Sequence, residues 1–162
     1  MTLNVLERMV RDYYHPNAAA PAETQERKVR DYYDQGAAEA FALHMGPMWF
    51  HGAWKVEKAG GTALEARHAM LRRIADRTGI GPGSRVLEFG SGVGGAAVAL
   101  ALMTGATIVG VSNSEWLSER ARRLAHEQGV ADRVTFLTVG DHDYKQLAAF
   151  QDGAFEGAFL PE

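Results

Sequence analysis

The spacing of apolar residues divides the chain into a helical N-terminal part and a longer part in which strands and helices alternate. Over residues 3–14, apolar side chains lie three or four positions apart, the pattern of an amphipathic helix, and Pro16 ends it. A second helix is predicted over residues 23–33. Both helices close with the same five residues, Val-Arg-Asp-Tyr-Tyr, at positions 10–14 and 29–33. The two Tyr pairs are predicted either to pack the helix ends or to form part of a substrate lid.

Residues 41–54 are dense in large apolar side chains but contain residues that break a regular helix. Gly46, Pro47 and Gly52 interrupt the stretch, so it is predicted to be a loop or a short helical piece. Such an apolar segment is not expected to stay solvated. We therefore expect it to close over a binding crevice.

The remainder of the chain has the pattern of an α/β fold. Thr62 and Glu65 have the spacing of a capping box, which predicts a helix from there to about Thr78. The alternation that follows predicts a doubly wound, Rossmann-like parallel sheet that stops after its fourth strand. The predicted division is an N-terminal helical lid over residues 1–61 and a ligand-binding domain over residues 62–162. Strands are predicted at residues 85–89, 107–111, 134–139 and 155–160, with helices near residues 95–103 and 114–127.

Composition and charge narrow the classes of function. With 46% hydrophobic and 23% charged residues, the chain has the composition of a folded globular protein. A net charge of −3 and the lack of a long basic block argue against a nucleic-acid partner. There are no cysteines, which excludes disulfides and thiolate metal sites. The sequence also has no signal-peptide or membrane-spanning pattern, so a cytoplasmic protein without a membrane partner is expected.

A glycine-rich turn between the first strand and the next helix is the strongest candidate for a ligand site. Residues 88–95 have the sequence Glu-Phe-Gly-Ser-Gly-Val-Gly-Gly. Glycine permits positive φ and lets the backbone approach a ligand, and the helix beyond the turn offers unpaired N–H groups. Gly90, Gly92 and Gly95 satisfy the dinucleotide pattern G-x-G-x-x-G, which would imply an NAD(P)-dependent oxidoreductase.

Three features weigh against a dinucleotide. The Glu88 carboxylate, two residues before the first glycine, would repel a pyrophosphate but suits an ammonium group. About eighty residues precede the strand, whereas a dinucleotide domain commonly opens with it. The second strand ends in Ser112 and Asn113, where an acid for the ribose would be needed.

The segment over residues 85–147 resembles the class I S-adenosylmethionine-dependent methyltransferases. Their first motif, an acid, any residue and then Gly-x-Gly-x-Gly, matches residues 88–94. Residues 110–116 are similar to the sterol and related small-molecule C-methyltransferases, and residues 132–136 and 140–141 are similar to the third strand and the acid after it. The resemblance covers the N-terminal, cofactor-binding half of that fold only.

The resemblance implies a role for each cofactor residue, with S-adenosyl-L-methionine as donor and S-adenosyl-L-homocysteine as product. Glu88 would hold the methionyl ammonium, and Asp141 would accept from the adenine amino group beside His142. Ser112 departs from the acid that most members use for the ribose, so Asn113 or Glu115 could share that task. The alternatives are that Glu88 is a strand-end acid facing Arg85 or solvent, that Asp141 is a turn acid, and that Ser112 and Asn113 are helix caps. The implied cofactor residues are Glu88, Gly90, Ser91, Gly92, Gly94, Ser112, Asn113, Asp141 and His142.

The acceptor side is predicted in the N-terminal part, where aromatic faces can stabilise positive charge. The alternative is that these aromatics only form the core of the lid. His44 and His51 have no third ligand at a suitable spacing, so no metal site is expected. A general base is optional for methyl transfer, and no catalytic residue is assigned. The substrate-side candidates are Tyr32, Tyr33, His44, Trp49, His51 and Trp54.

Three functions stay open from the sequence. The first is methyl transfer to a small, apolar or natural-product acceptor. The second is a catalytically incomplete donor-binding fragment, because the sheet of the resembled family continues for three more strands; such a fragment would need a second copy or a complementary C-terminal chain. The third is the NAD(P)-dependent oxidoreductase.

Overall fold

The computed structural model of the chain describes residues 22–139, 147, 150–151 and 153–160. The helix predicted over residues 3–14, the first Val-Arg-Asp-Tyr-Tyr copy, and the candidates Asp141 and His142 lie outside the described residues. Within this described part, no helix is both long and apolar enough to cross a membrane.

The N-terminal part is helical but interrupted. The regular helix breaks after residue 32, because Gln35 (φ −92°, ψ 22°) and Gly36 (φ 101°) leave the helical conformation. Gly46 ends the next helix with φ 65°. The prediction of short helical pieces and loop over residues 41–54 is therefore confirmed. The helices of this part are α1 (Ala22–Tyr32), α2 (Ala38–Met45), α3 (Trp54–Lys58) and α4 (Ala63–Thr78).

The α4 helix begins at the predicted capping box. The Thr62 hydroxyl accepts a hydrogen bond from the Glu65 backbone N–H (3.2 Å), and the Glu65 carboxylate accepts one from the Thr62 N–H (2.7 Å). These bonds hold the pKa of Glu65 below its usual value. Gly79, in the left-handed conformation, ends the helix.

Four parallel strands form one sheet in the order β3-β2-β1-β4. Two helices connect the first three strands, which confirms the doubly wound α/β fold. The fourth strand is shorter than the predicted residues 155–160, because it pairs with β1 only over residues 157–159. Just before this pairing, the Glu156 carboxylate accepts a hydrogen bond from the Arg85 backbone N–H at 2.6 Å. The elements are β1 (Arg85–Phe89), α5 (Gly95–Thr104), β2 (Thr107–Ser112), α6 (Glu115–Glu127), β3 (Val134–Thr138) and β4 (Gly157–Phe159).

The main core lies between the sheet and the helices α4, α5 and α6. Small side chains on α5 allow it to pack closely on the strands, where Val86, Ile108 and Phe136 are buried. Met48 and Phe50, from the loop after α2, are buried in the same core. The apolar stretch over residues 41–54 is therefore packed against the Rossmann-like part through these two side chains, whereas Leu43 and Trp54 in the same stretch are exposed.

The loop after α2 is in very close contact with the start of α5. A Cβ added at Gly95 would lie 2.0 Å from the Pro47 carbonyl oxygen and 2.9 Å from the Met48 side chain. Gly95 has no positive φ, so the requirement for glycine is steric. Only glycine lets the N-terminal part reach the turn at this point.

We predict that Gly95→Ala lowers the free energy of unfolding by about 1–3 kcal/mol, because its methyl group overlaps the Pro47 backbone. Urea unfolding followed by tryptophan fluorescence measures the change. Gly81→Ala is the matched control, since a Cβ there meets no atom within 4 Å. Equal stability of both variants and the unmodified chain would contradict this close contact.

Candidate cofactor site

The glycine turn joins β1 to α5 at the carboxyl edge of the sheet. Gly90, Gly92 and Gly94 have φ values of 76°, 52° and 81°, a region that side chains with a Cβ rarely adopt. The backbone N–H groups of Gly90 and Ser91 both donate to the Val111 carbonyl at 2.9 Å. These bonds hold the turn against the end of β2. The turn thus lies at the carboxyl edge of the sheet, where ligands bind in doubly wound folds.

Glu88 lies in β1 directly before this turn and is completely buried. Neither carboxylate oxygen has a hydrogen-bond partner among the described residues. Burial raises the pKa of Glu88 to about 8, and the nearby Ala97 backbone amide opposes this rise only in part. Burial therefore favours the protonated form of Glu88, and none of the described residues occupies its two oxygens.

Ser91 provides a second buried polar atom without a partner. Its side chain is 6% exposed, and its hydroxyl has no hydrogen-bond partner among the described residues. A Cβ at the neighbouring Gly110 would lie 2.8 Å from the Ser91 Cβ, so glycine at position 110 leaves room for this side chain. Buried polar groups are rarely left unpaired in folded proteins. Two of them around one glycine turn indicate a ligand site.

Polar residues at the end of β2 and directly after it form hydrogen bonds with one another and with the start of α6. The Ser112 hydroxyl accepts a hydrogen bond from the Ser114 N–H, and the Ser114 hydroxyl caps α6 by accepting one from the Leu117 N–H, both at 3.2 Å. Asn113 is half-buried. The cap of α6 is therefore Ser114, while the predicted ribose role of Ser112 and Asn113 stays a prediction.

Glu115, the other acid near the end of β2, is held by neighbouring side chains. Its carboxylate accepts a hydrogen bond from Arg122 at 2.8 Å. Hydrogen bonding to Thr138 and to Arg122 holds the pKa of Glu115 below its usual value. Glu115 is thus already paired, which makes it a weaker candidate for sugar hydroxyls.

An aromatic cluster formed by Tyr33, Phe41 and Trp49 packs beside the glycine turn. The rings of Tyr33 and Trp49 stack with centroids 6.3 Å apart, and Phe41 lies 5.6 Å from Trp49. Tyr32 contacts Tyr33 edge-on at 5.2 Å. A Cβ at Gly92 would lie 3.8 Å from the Trp49 ring, so the cluster borders the turn directly.

The other three substrate-side candidates lie outside this aromatic cluster. His44 and His51 are exposed. Trp54 is 62% exposed, with the Lys58 ammonium 5.6 Å from its ring centroid. Their predicted contact with a substrate stays a prediction.

The structure adds one acid that the sequence analysis did not single out. The Ser114 hydroxyl donates a hydrogen bond to Asp34, with 2.5 Å between the two oxygen atoms. Asp34 directly follows the second Val-Arg-Asp-Tyr-Tyr copy, but its partner lies 80 residues further along the chain. No local spacing could have indicated this contact.

Comparison with known proteins identifies the family. Residues 21–154 match the family model described as mycolic acid cyclopropane synthetase. The chain belongs to this family. The match includes the glycine turn, Glu88 and the aromatic cluster.

Two characterised relatives are methyltransferases of different kinds. The chain is 38% identical over 97 residues to the sterol 24-C-methyltransferase of Yarrowia lipolytica, a match covering 60% of this chain and 24% of that protein. It is 34% identical over 102 residues to the 27-O-demethylrifamycin SV methyltransferase of Amycolatopsis mediterranei, covering 60% and 37%. The chain therefore spans about a quarter of the length of the sterol enzymes it matches.

Solved structures share the same fold. The cyclase SpnF is 28% identical, with a TM-score of 0.62 over 74% of this chain and 43% of that chain. The geranyl diphosphate C-methyltransferase of Streptomyces coelicolor A3(2) is 20% identical, with a TM-score of 0.57 over 75% and 50%. The latter was crystallised with S-adenosyl-L-homocysteine; its likeness supports the fold alone.

We predict that the buried Glu88 makes the stability of the unliganded protein pH-dependent. Its pKa is about 8 in the folded state against an ordinary value of 4.5, so the folded state holds the proton more tightly. The contribution to stability is complete below pH 4.5, is lost as the pH rises to about 8, and changes no further above that. The slope between these limits is about 1.4 kcal/mol per pH unit.

Urea unfolding at several pH values between 5 and 9 measures this dependence. Glu88→Gln should remove the slope, because an amide does not titrate. Glu57→Gln, at an exposed residue of α3, controls for the loss of one negative charge. Parallel curves for Glu88→Gln and the unmodified chain would show that the Glu88 carboxyl titrates normally.

Proposed function

We propose that this chain forms the donor-binding part of an S-adenosylmethionine-dependent methyltransferase that acts on a small, apolar acceptor. The observation that carries the proposal is the fully buried Glu88 carboxyl group, which has no hydrogen-bond partner among the described residues and lies next to a glycine turn. Membership of the cyclopropane synthetase family and two methyltransferase relatives support it.

The charge of Glu88 favours a cationic ligand over a dinucleotide. S-Adenosylmethionine carries an ammonium group that can donate to the unpaired oxygens of Glu88 and favour its ionised form. A pyrophosphate in the same place would instead repel the ionised form of Glu88 and keep the group protonated. The backbone N–H groups in the first turn of a helix such as α5 suit the methionyl carboxylate. An NAD(P)-dependent oxidoreductase is accordingly the weaker hypothesis.

The aromatic cluster fits the chemistry of methyl transfer. In this reaction a nucleophile of the acceptor attacks the methyl carbon, the bond from that carbon to sulfur breaks, and neutral S-adenosylhomocysteine leaves. The protein has to align the two reactants and exclude water. Tyr33, Phe41 and Trp49 can supply an apolar wall whose ring faces favour the positive sulfonium. Tyr32 borders this wall through its contact with Tyr33.

The acceptor is proposed only as a class. The relatives named above act on a sterol carbon and, by name, on an oxygen of rifamycin, and SpnF is a cyclase. A small molecule of natural-product type is consistent with all of them. A cytoplasmic location stays a prediction from the sequence.

A second candidate is a donor-binding piece that has no turnover by itself. It is favoured by β4, which pairs with β1 on one side and is followed by Leu160 at 61% exposure. A parallel strand is usually covered on both faces and both edges. Under this hypothesis a second copy or a complementary chain supplies the missing contacts. Transfer of a labelled methyl group to a sterol, with and without a longer form of the protein, separates the two candidates.

We predict that the chain binds S-adenosylhomocysteine and that Glu88→Gln weakens this binding by about 1.5–3 kcal/mol, the range for a hydrogen bond to a charged group. Isothermal titration calorimetry measures the affinity. Glu57→Gln should bind like the unmodified chain. Binding of NAD without binding of S-adenosylhomocysteine would overturn the proposed function.

We further predict that Trp49 senses the donor and Trp54 does not. The chain has three tryptophans, so two double variants isolate them: Trp54→Phe with Trp116→Phe, and Trp49→Phe with Trp116→Phe. Adding S-adenosylhomocysteine should shift the emission of Trp49, because its ring borders Gly92. The exposed Trp54 should be unaffected. A response confined to Trp54 would move the ligand away from the aromatic cluster.

A further inference from the structure

The carboxyl end of β2 has no acid of its own that could hold a sugar. In doubly wound folds a carboxylate about twenty residues after the glycine motif commonly takes the ribose hydroxyls. Here that position holds Ser112, whose hydroxyl already accepts the Ser114 N–H. Glu115 is paired with Arg122. A ligand with an adenosine group would therefore meet no available carboxylate from β2 or the start of α6.

The N-terminal part of the chain supplies a carboxylate close to the carboxyl end of β2. Asp34 lies in the turn between α1 and α2, and one of its oxygens accepts a hydrogen bond from the Ser114 hydroxyl. The contact is next to the glycine turn, because Gly90 and Ser91 both bond to Val111, the residue before Ser112. Asp34 thus lies near the glycine turn and the two buried polar groups, Glu88 and Ser91, that have no hydrogen-bond partner among the described residues.

The packing around Asp34 explains why it is held there. Ala38, four residues later, is completely buried against Val93 of the glycine turn and Leu117 of α6. Tyr33, the preceding residue, is stacked on Trp49. The turn that contains Asp34 is therefore held by packing contacts at the residues on both sides of it. Ser114 is itself buried and orients the carboxylate while it caps α6.

We propose that Asp34 is a further donor-binding residue, whose carboxylate accepts hydrogen bonds from the ribose hydroxyls in place of an acid at the end of β2. This inference rests on the proposed function. A carboxylate has about four acceptor positions, so one bond to Ser114 leaves capacity for a diol. Asp34 is exposed at the surface of the N-terminal part, which leaves a ligand access to it.

The position of Asp34 has a consequence for how the donor binds. Glu88 belongs to β1, whereas Asp34 belongs to the segment that packs over the glycine turn. A donor held by both residues would join the two parts of the chain. Ordering of the N-terminal segment and binding of the donor would then be thermodynamically coupled.

The test is a thermodynamic cycle that combines the substitution of Asp34 with the removal of a ribose hydroxyl from the ligand. Calorimetry compares S-adenosylhomocysteine with its 2′-deoxy and 3′-deoxy analogues, for the unmodified chain and for Asp34→Asn. We expect Asp34→Asn to weaken S-adenosylhomocysteine about tenfold or more, and to change the affinity of at least one deoxy analogue much less. Asp31→Asn, one turn earlier in α1, is the matched control and should leave all three affinities unchanged.

A second variant separates ligand contact from support of the fold. Ser114→Ala removes the hydrogen bond to Asp34 but keeps the Asp34 carboxylate. The Ser114→Ala variant should therefore still bind S-adenosylhomocysteine more tightly than its deoxy analogues, whereas Asp34→Asn should lose this preference. Equal losses for all three ligands in Asp34→Asn, or no loss, would overturn this inference while the proposed function stands. If the unmodified chain binds no S-adenosylhomocysteine, the proposed function itself fails.

Discussion

Burying the Glu88 carboxyl in β1 without a hydrogen-bond partner costs free energy that the folded chain does not recover from its own described residues. The glycine turn and helix α5 both lie next to this group. Three glycines with positive φ shape the turn that follows it, and α5 packs against the same sheet. A structure selected only for stability would place an apolar side chain here, as it does at Val86. This buried acid, without a hydrogen-bond partner among the described residues, is the feature on which the proposed donor site rests.

The N-terminal part packs against this place through three independent contacts. The Pro47 backbone touches Gly95 at the start of α5, and Trp49 borders Gly92. Asp34 is bonded to Ser114 at the start of α6. Each contact joins the helical part to the edge of the sheet where a ligand would bind. The helical part and the Rossmann-like part thus meet beside the glycine turn, at the carboxyl edge of the sheet.

Local sequence patterns predicted most of the regular elements of this fold. The capping box of α4 and strand β1 occur where the sequence placed them, because each depends on residues a few positions apart. Strand β4 was predicted too long, since its length depends on pairing with β1 rather than on its own apolar residues. In the site, Glu88 was evident from the motif. The hydrogen bond between Ser114 and Asp34 was not, because the two residues are 80 positions apart in the chain.

The sequence by itself determined the family, the alternation of strands and helices, and the acid and glycines at the end of β1. These follow from short-range spacing and from residue types that few other folds require. Only the tertiary structure decided that Glu88 is buried without a hydrogen-bond partner among the described residues, that Tyr33 and Trp49 stack beside the glycine turn while Trp54 is exposed, and that Asp34 reaches Ser114. Those properties depend on contacts between segments far apart in the chain, and a one-dimensional pattern carries no information on which distant surfaces meet.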